Sequence, residues 1–199
     1  MDRFIRMGTW AGALGGLLVA AGAGVSLVFG QEWLRDSTTV SSGLRLAGAV
    51  LMTWGLIALY ARQADAAGRL GVVAVIACLV NMMLQAGWMF ADLFVAPSIE
   101  SLSPGLLDGA TPPRLGVGFM LAWLANTSFL LLAVATLRAR VVPRTCAVAL
   151  AAAGVITLIP LPFDGPAYEV IIGLAFTTAA LTVIPAGVRR HPELTPAHP

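Results

Sequence analysis

Residues 44–94, LRLAGAVLMTWGLIALYARQADAAGRLGVVAVIACLVNMMLQAGWMFADLF, decide the fold. Two apolar runs, 44–60 and 70–94, flank a short connection that holds Arg62 and Arg69. The first run approaches, and the second exceeds, the roughly 20 residues that a helix needs to cross a hydrocarbon core of about 30 Å. Working outward, the same pattern recurs at 7–29 before the pair and at 115–137, 145–161 and 167–186 after it. The sequence therefore predicts an all-α, polytopic integral membrane protein: a single transmembrane domain of six helices over residues 1–199. A long outer loop, 95–114, separates spans three and four, and a polar tail, 187–199, follows span six.

The connections alternate in arginine. Nine of the twelve cationic residues (Arg3, Arg6, Arg62, Arg69, Arg138, Arg140, Arg144, Arg189 and Arg190) fall on one side of this fold-up. The other side holds Arg35, Arg45 and Arg114 with seven of the ten acids. That is the positive-inside pattern. It predicts a multi-pass protein of the cytoplasmic membrane with the N-terminus and the C-terminus both inside.

Composition agrees. Apolar residues make up 58% of the chain, charged ones 11%, and mean hydropathy is +0.87. Soluble domains carry about a quarter charged residues, so the lipid bilayer is the expected solvent and first partner. The net charge of +2 is spread over short loops, a topology signal and not a nucleic-acid footprint. Arg3 and Arg6 ahead of an apolar run, with Ala21-Gly22-Ala23 beyond, also resemble a cleaved signal peptide. The run is longer than a usual signal, and cleavage would leave five spans, so span one is expected to be retained.

Several chemistries lack their residues. There is no lysine, which removes Schiff-base and P-loop chemistry. Both histidines, His191 and His198, lie in the tail, away from any span. That argues against bundle haem, intramembrane zinc and His-based serine proteolysis. Cys78 and Cys146 fall in or near the inner halves of spans, where they read as small packing residues. No catalytic residue, metal site or cofactor is assigned.

Span one carries Gly8, Gly12, Gly16, Ala20 and Gly24 at intervals of four. Such a ridge lets a second helix approach closely. Its reading is either intrachain helix packing or an interface for a homo-oligomer or larger membrane complex.

Span three carries the polar stripe. Cys78, Asn81, Gln85, Trp88 and Asp92 follow a 3-4-3-4 spacing and share one helix face. Asn81 and, in span four, Asn126 both lie near mid-depth, where an unpartnered amide costs several kcal/mol. They are expected to hydrogen-bond across the bundle, with Gln85 as a third amide. Asp92, Asp164 and Glu169 lie at outer span ends, Glu169 in the first turn of span six, and Arg114 is placed to pair with Asp92. No span shows a charge at mid-depth, which argues against an obvious ion-coupled transporter.

Met82, Met83, Met89 and Met120 with Trp88 and Trp123 read as core or interface residues that would also suit a lipid tail or quinone. Ser98 behind Pro97 is placed to cap a short outer helix. A weak parallel repeat relates Arg45-Leu46…Trp54 to Arg114-Leu115…Trp123.

The basic lead into Ala11-Gly12-Ala13-Leu14, and Val142-Pro143-Arg144 leading to Ala153-Gly154, resemble an uncharacterised bacterial multispan membrane family, a DUF4386-like domain of unknown function. The resemblance implies the layout and no site. The leading functional expectation is a non-catalytic accessory or assembly subunit, or a lipid-binding helical bundle. The alternative is a small-solute transporter or channel with Asn81, Gln85, Trp88, Asp92, Asn126 and Glu169 on its route. Third is a lipid-modifying enzyme using Asp92, Asp164 and Glu169.

Overall fold

The computed structural model describes residues 2–29, 35–103, 113–159 and 165–183. Among them the chain is all-helical and has no strand. Helix α1 (Asp2–Phe29) leads to α2 (Arg35–Phe90), a π-helical turn (Ala91–Val95) and α3 (Ala96–Leu102). Then come α4 (Pro113–Ala125), α5 (Ser128–Ala139), α6 (Arg144–Val155), a 3-10 turn (Ile156–Leu158) and α7 (Gly165–Val183). Among the described residues four stretches are long and apolar enough to cross a membrane: Arg3–Phe29, Thr39–Ile99, Gly116–Ala139 and Pro166–Val183. A fifth apolar helix, Arg144–Leu158, is shorter.

Helix α2 is bent back on itself. Gly68 alone leaves helical geometry, at φ 56° and ψ −153°, and divides it into limbs 35–67 and 69–90. Only glycine reaches that backbone region at low cost. A Cβ on Gly71 would lie 3.5 Å from the ring of Tyr60, so the second limb folds back along the first. Met52, Leu56 and Leu59 of one limb share a core with Ala74, Cys78 and Met82 of the other. The sequence suggests a loop over 61–69, but Ala61, Gln63, Ala64, Ala66 and Ala67 favour helix and the reversal is confined to one residue.

The remaining elements close a ring. α1 packs on α2 and α7, α7 on α6, α6 on α5, and α5 back on α2. Phe129 of α5 and Phe176 of α7 meet inside it at a centroid distance of 6.1 Å. The outer wall is apolar too: Val73, Ile76, Val80, Val117, Leu121, Val148 and Leu174 are exposed.

The glycine ridge of α1 is filled from within the chain. A Cβ on Gly8 would fall 2.5 Å from Ala58 Cβ, one on Gly12 2.8 Å from Gly55 Cα, and one on Gly16 2.5 Å from the Gly173 carbonyl. Ala20 touches Gly173, and Gly24 has nothing within 4 Å among the described residues. Steps of four advance about 40° around a helix of 3.6 residues per turn. The ridge therefore winds from α2 at Gly8 and Gly12, to α7 at Gly16 and Ala20, and off both by Gly24. The seam with α2 runs instead through Gly8, Gly12, Gly15 and Gly22, close to a 3.5-residue period. These contacts leave Gly8, Gly12, Gly16 and Ala20 unavailable to a second molecule.

The 115–137 run stays one apolar stretch, Gly116–Ala139, but its α-helical hydrogen bonding is interrupted once. Asn126 and Thr127 form a tight turn between α4 and α5, with the Asn126 N–H donating to Trp123 O at 3.1 Å and the Phe129 N–H to Asn126 O at 3.1 Å. Outside the ring, α3 continues straight from the π-helical turn, so it has no free N-terminus for Ser98 to cap. The Ser98 hydroxyl donates back to Phe94 O at 2.6 Å instead. Residues 104–112 of the long loop, Asp164 and the tail lie outside the described residues.

Candidate functional site

Helices α2 and α7 and the π-helical turn build a charged cluster at one end of the ring. Arg45 of α2 donates from Nε and Nη2 to the two carboxylate oxygens of Glu169 on α7. The pair is largely buried, with side chains 10% and 21% exposed. Asp92, in the π-helical turn, lies within electrostatic range of both, one turn beyond Trp88. The sequence places Arg45 on an outer connection. Helix α2 starts ten residues before it, because Ser37, Thr38, Thr39, Ser41 and Ser42 continue the helix. Around Arg45, Ser41 donates to Gly22 O at 2.8 Å and shares a 2.7 Å bond with Ser26. Glu169 lies beyond the first turn of α7, which begins at Gly165, so a buried partner holds it and the helix end does not. The side chain of Arg114, the partner expected for Asp92, lies outside the described residues.

Deeper in, Asn81 donates from Nδ2 to Asn126 Oδ1 at 3.0 Å, joining the second limb of α2 to the α4–α5 turn. Both are buried, and Asn81 Oδ1 has no partner among the described residues. Ser128, which opens α5, is buried beside Cys78. Gln85 is half-buried without a hydrogen bond among the described residues, and Trp88 is half-buried. The stripe thus runs from Asp92 at the charged end to Asn81 at the broken helix. Asn81–Asn126 and Asp92–Glu169 are brought together, and Gln85 stays apart from both pairs.

The methionines divide. Met82 and Met89 are buried, whereas Met83 and Met120 are 74% and 66% exposed. Trp123 donates to Thr157 O at 3.0 Å and stands edge-on to Tyr168 at 4.5 Å, whereas Trp54 is half exposed against Phe4. The two tryptophans have different settings, so the repeat proposed around them finds no structural equivalence.

Two cross-helix contacts carry no signal in the sequence. Gln63 donates to Thr136 at 3.1 Å, and Arg62 donates to the Val183 carbonyl at 3.1 Å, where a cation complements the α7 C-terminus. Both residues sit in the stretch read as a loop, which hid them. The signal for Arg45 was its isolation. An arginine on the arginine-poor side, followed at once by an apolar run, needs a carboxylate partner if the helix starts early.

Among the described residues no group of three His, Cys, Asp or Glu side chains could hold a metal ion. Both cysteines are buried and free. A cavity of about 10 Å³ is lined by Thr9, Gly55, Leu59, Leu150 and Phe176, room for about one water. Comparison of the chain with protein-family models, curated proteins and solved structures gives no match.

Proposed function

We propose that the chain is a non-catalytic integral protein of the cytoplasmic membrane, an accessory or assembly subunit or a lipid-holding bundle. It crosses the membrane six times with both termini inside. The crossing count is supported by the reversal at Gly68, which makes two antiparallel limbs of α2, and by α4 and α5 serving together as one crossing. The orientation is supported by the arginine partition of the loops.

One observation carries the non-catalytic reading: the buried polar side chains bind helices to one another. Arg45 holds Glu169, Asn81 holds Asn126, Gln63 holds Thr136, and the Thr177 hydroxyl shares its proton between Gly173 O of its own helix at 2.9 Å and Ala13 O of α1 at 3.2 Å. No hydroxyl or thiol among these contacts sits against a base. Because the α1 ridge is covered, a partner would use another surface. The test is native mass spectrometry of the protein extracted gently from its own membrane. A defined larger complex, or retained lipid, is the expected result. A bare monomer that moves a solute when reconstituted into liposomes would overturn the reading.

A transporter or channel is the second reading. It is favoured by the helix break at Asn126-Thr127 and the π-helical turn at Ala91–Val95, both on the polar stripe. Broken helices and charged groups within a bundle mark substrate routes. Asn81→Leu and Asp92→Asn should then change flux in liposomes, and unchanged flux in both removes this route.

A further inference from the structure

We propose that the α5–α6 hairpin binds the phosphate of an anionic phospholipid through Arg138, Arg140 and Arg144. Arg138 lies in the last turn of α5, Arg140 follows that helix, and Arg144 opens α6. All three side chains are exposed, and residues 128–159 contain no Asp or Glu. Among the described residues none of the three is in an ion pair. Three cations within seven residues are thus left without a counter-ion from their own hairpin. Guanidinium groups match phosphate oxygens in a forked geometry that ammonium groups lack.

The surroundings select a lipid as the phosphate's carrier. Leu137, Val141 and Val148, beside the arginines in sequence, are 46%, 42% and 64% exposed. They continue the apolar outer wall that Val134 and Val155 extend along the same two helices. A ligand reaching the arginines from that wall must carry an acyl chain and an acidic headgroup. The positive end of α6, whose N-cap Pro143 makes no side-chain hydrogen bond, adds to the same patch. Arg140 sits in the left-handed region at φ 54°, so glycine is the substitution that removes its charge without adding backbone strain. This inference deepens the lipid-holding arm of the proposed function and rests on membrane insertion; loss of phosphatidylglycerol selectivity alone would remove the arginine site and leave the accessory reading standing.

The test is a lipid titration of the purified full-length chain in detergent, read by native mass spectrometry. Phosphatidylglycerol is the probe, and phosphatidylcholine is the zwitterionic control. Each guanidinium that hydrogen-bonds the bound phosphate is worth about 1 kcal/mol net, roughly fivefold in affinity, and the control arginines make no such contact. The variant Arg138→Gln/Arg140→Gly/Arg144→Gln should therefore bind phosphatidylglycerol roughly a hundredfold more weakly. A charge-matched control, Arg3→Gln/Arg6→Gln/Arg69→Gln, removes three exposed arginines elsewhere and should lose less than about fivefold. Equal binding by the hairpin variant, an equal loss in the control, or equal affinity for phosphatidylcholine would each overturn the proposal. Circular dichroism checks the fold. If the triple variant does not fold, Arg144→Gln alone should still show a loss of about fivefold, and no loss there overturns it too.

Discussion

Arg45 closes its guanidinium on both carboxylate oxygens of Glu169, 124 residues further along the chain, and so fastens α2 to α7. The bidentate geometry is the strong form of this contact. Its removal should be asymmetric, because Asp92 lies within range of both partners. Arg45→Met leaves Glu169 and Asp92 facing one another with no cation. Glu169→Gln leaves Arg45 with Asp92. Breaking a buried pair from one side costs about 3–5 kcal/mol, so Arg45→Met should lie at the top of that range and Glu169→Gln below it. The double variant Arg45→Met/Glu169→Met should recover much of the loss. Thermal unfolding in detergent reads this order, and an inverted order would take Asp92 out of the cluster.

The winding of the α1 ridge makes the glycines unequal. Gly12→Ala drives a Cβ to 2.8 Å from the Gly55 backbone, and Gly16→Ala drives one to 2.5 Å from the Gly173 carbonyl. Neither neighbour is a flexible side-chain end, so each substitution should cost about 1–3 kcal/mol through backbone shifts. Gly24→Ala meets no described atom within 4 Å and should be neutral or stabilising by up to about 1 kcal/mol. The melting temperatures of the three variants decide it. A loss at Gly24 equal to that at Gly12 would restore the straight ridge.

How much of this was legible follows from which periodicities the residues carry. The apolar runs announced every helix of the ring, since hydrophobic length alone sets that reading. The Asn81–Asn126 contact was legible because two mid-run amides have few other partners. The Arg45–Glu169 pair was not, because it requires knowing that α2 begins at Arg35, and Ser/Thr-rich segments read equally as loop or helix. The break at Asn126-Thr127 was hidden for the opposite reason: both flanks are apolar and no proline marks it. The ridge was legible as a packing surface and misleading as a straight one, since a four-residue interval does not divide the helical turn.

The amide pair should behave as a coupled unit. Asn81→Leu alone leaves Asn126 Oδ1 buried without its donor, at a cost of about 1–3 kcal/mol. Asn126→Leu alone strands Asn81 in the same way. The double variant removes both polar groups and should cost less than the sum of the single losses by at least about 0.6 kcal/mol, the usual size of such contacts between membrane helices. Unfolding of the single and double variants gives the coupling directly. Additive losses would mean that the two side chains do not depend on each other.

Crossing count and orientation can be read together from single cysteines, because native Cys78 and Cys146 are buried and should be silent to a polar maleimide. Ser101, Asp65 and Val141 are exposed, and none of them is an arginine that sets topology. Ser101→Cys lies beyond the second limb of α2, Asp65→Cys beside the bend, and Val141→Cys in the α5–α6 turn. With six crossings and the termini inside, a membrane-impermeant maleimide should label Ser101→Cys in intact cells. Asp65→Cys and Val141→Cys should label only after permeabilisation. The mirror result would reverse the orientation and keep the count. Labelling of Ser101→Cys and Asp65→Cys from the same side would mean that the second limb does not cross. In that case the reversal at Gly68 would be a fold within one leaflet and not a turn between two spans.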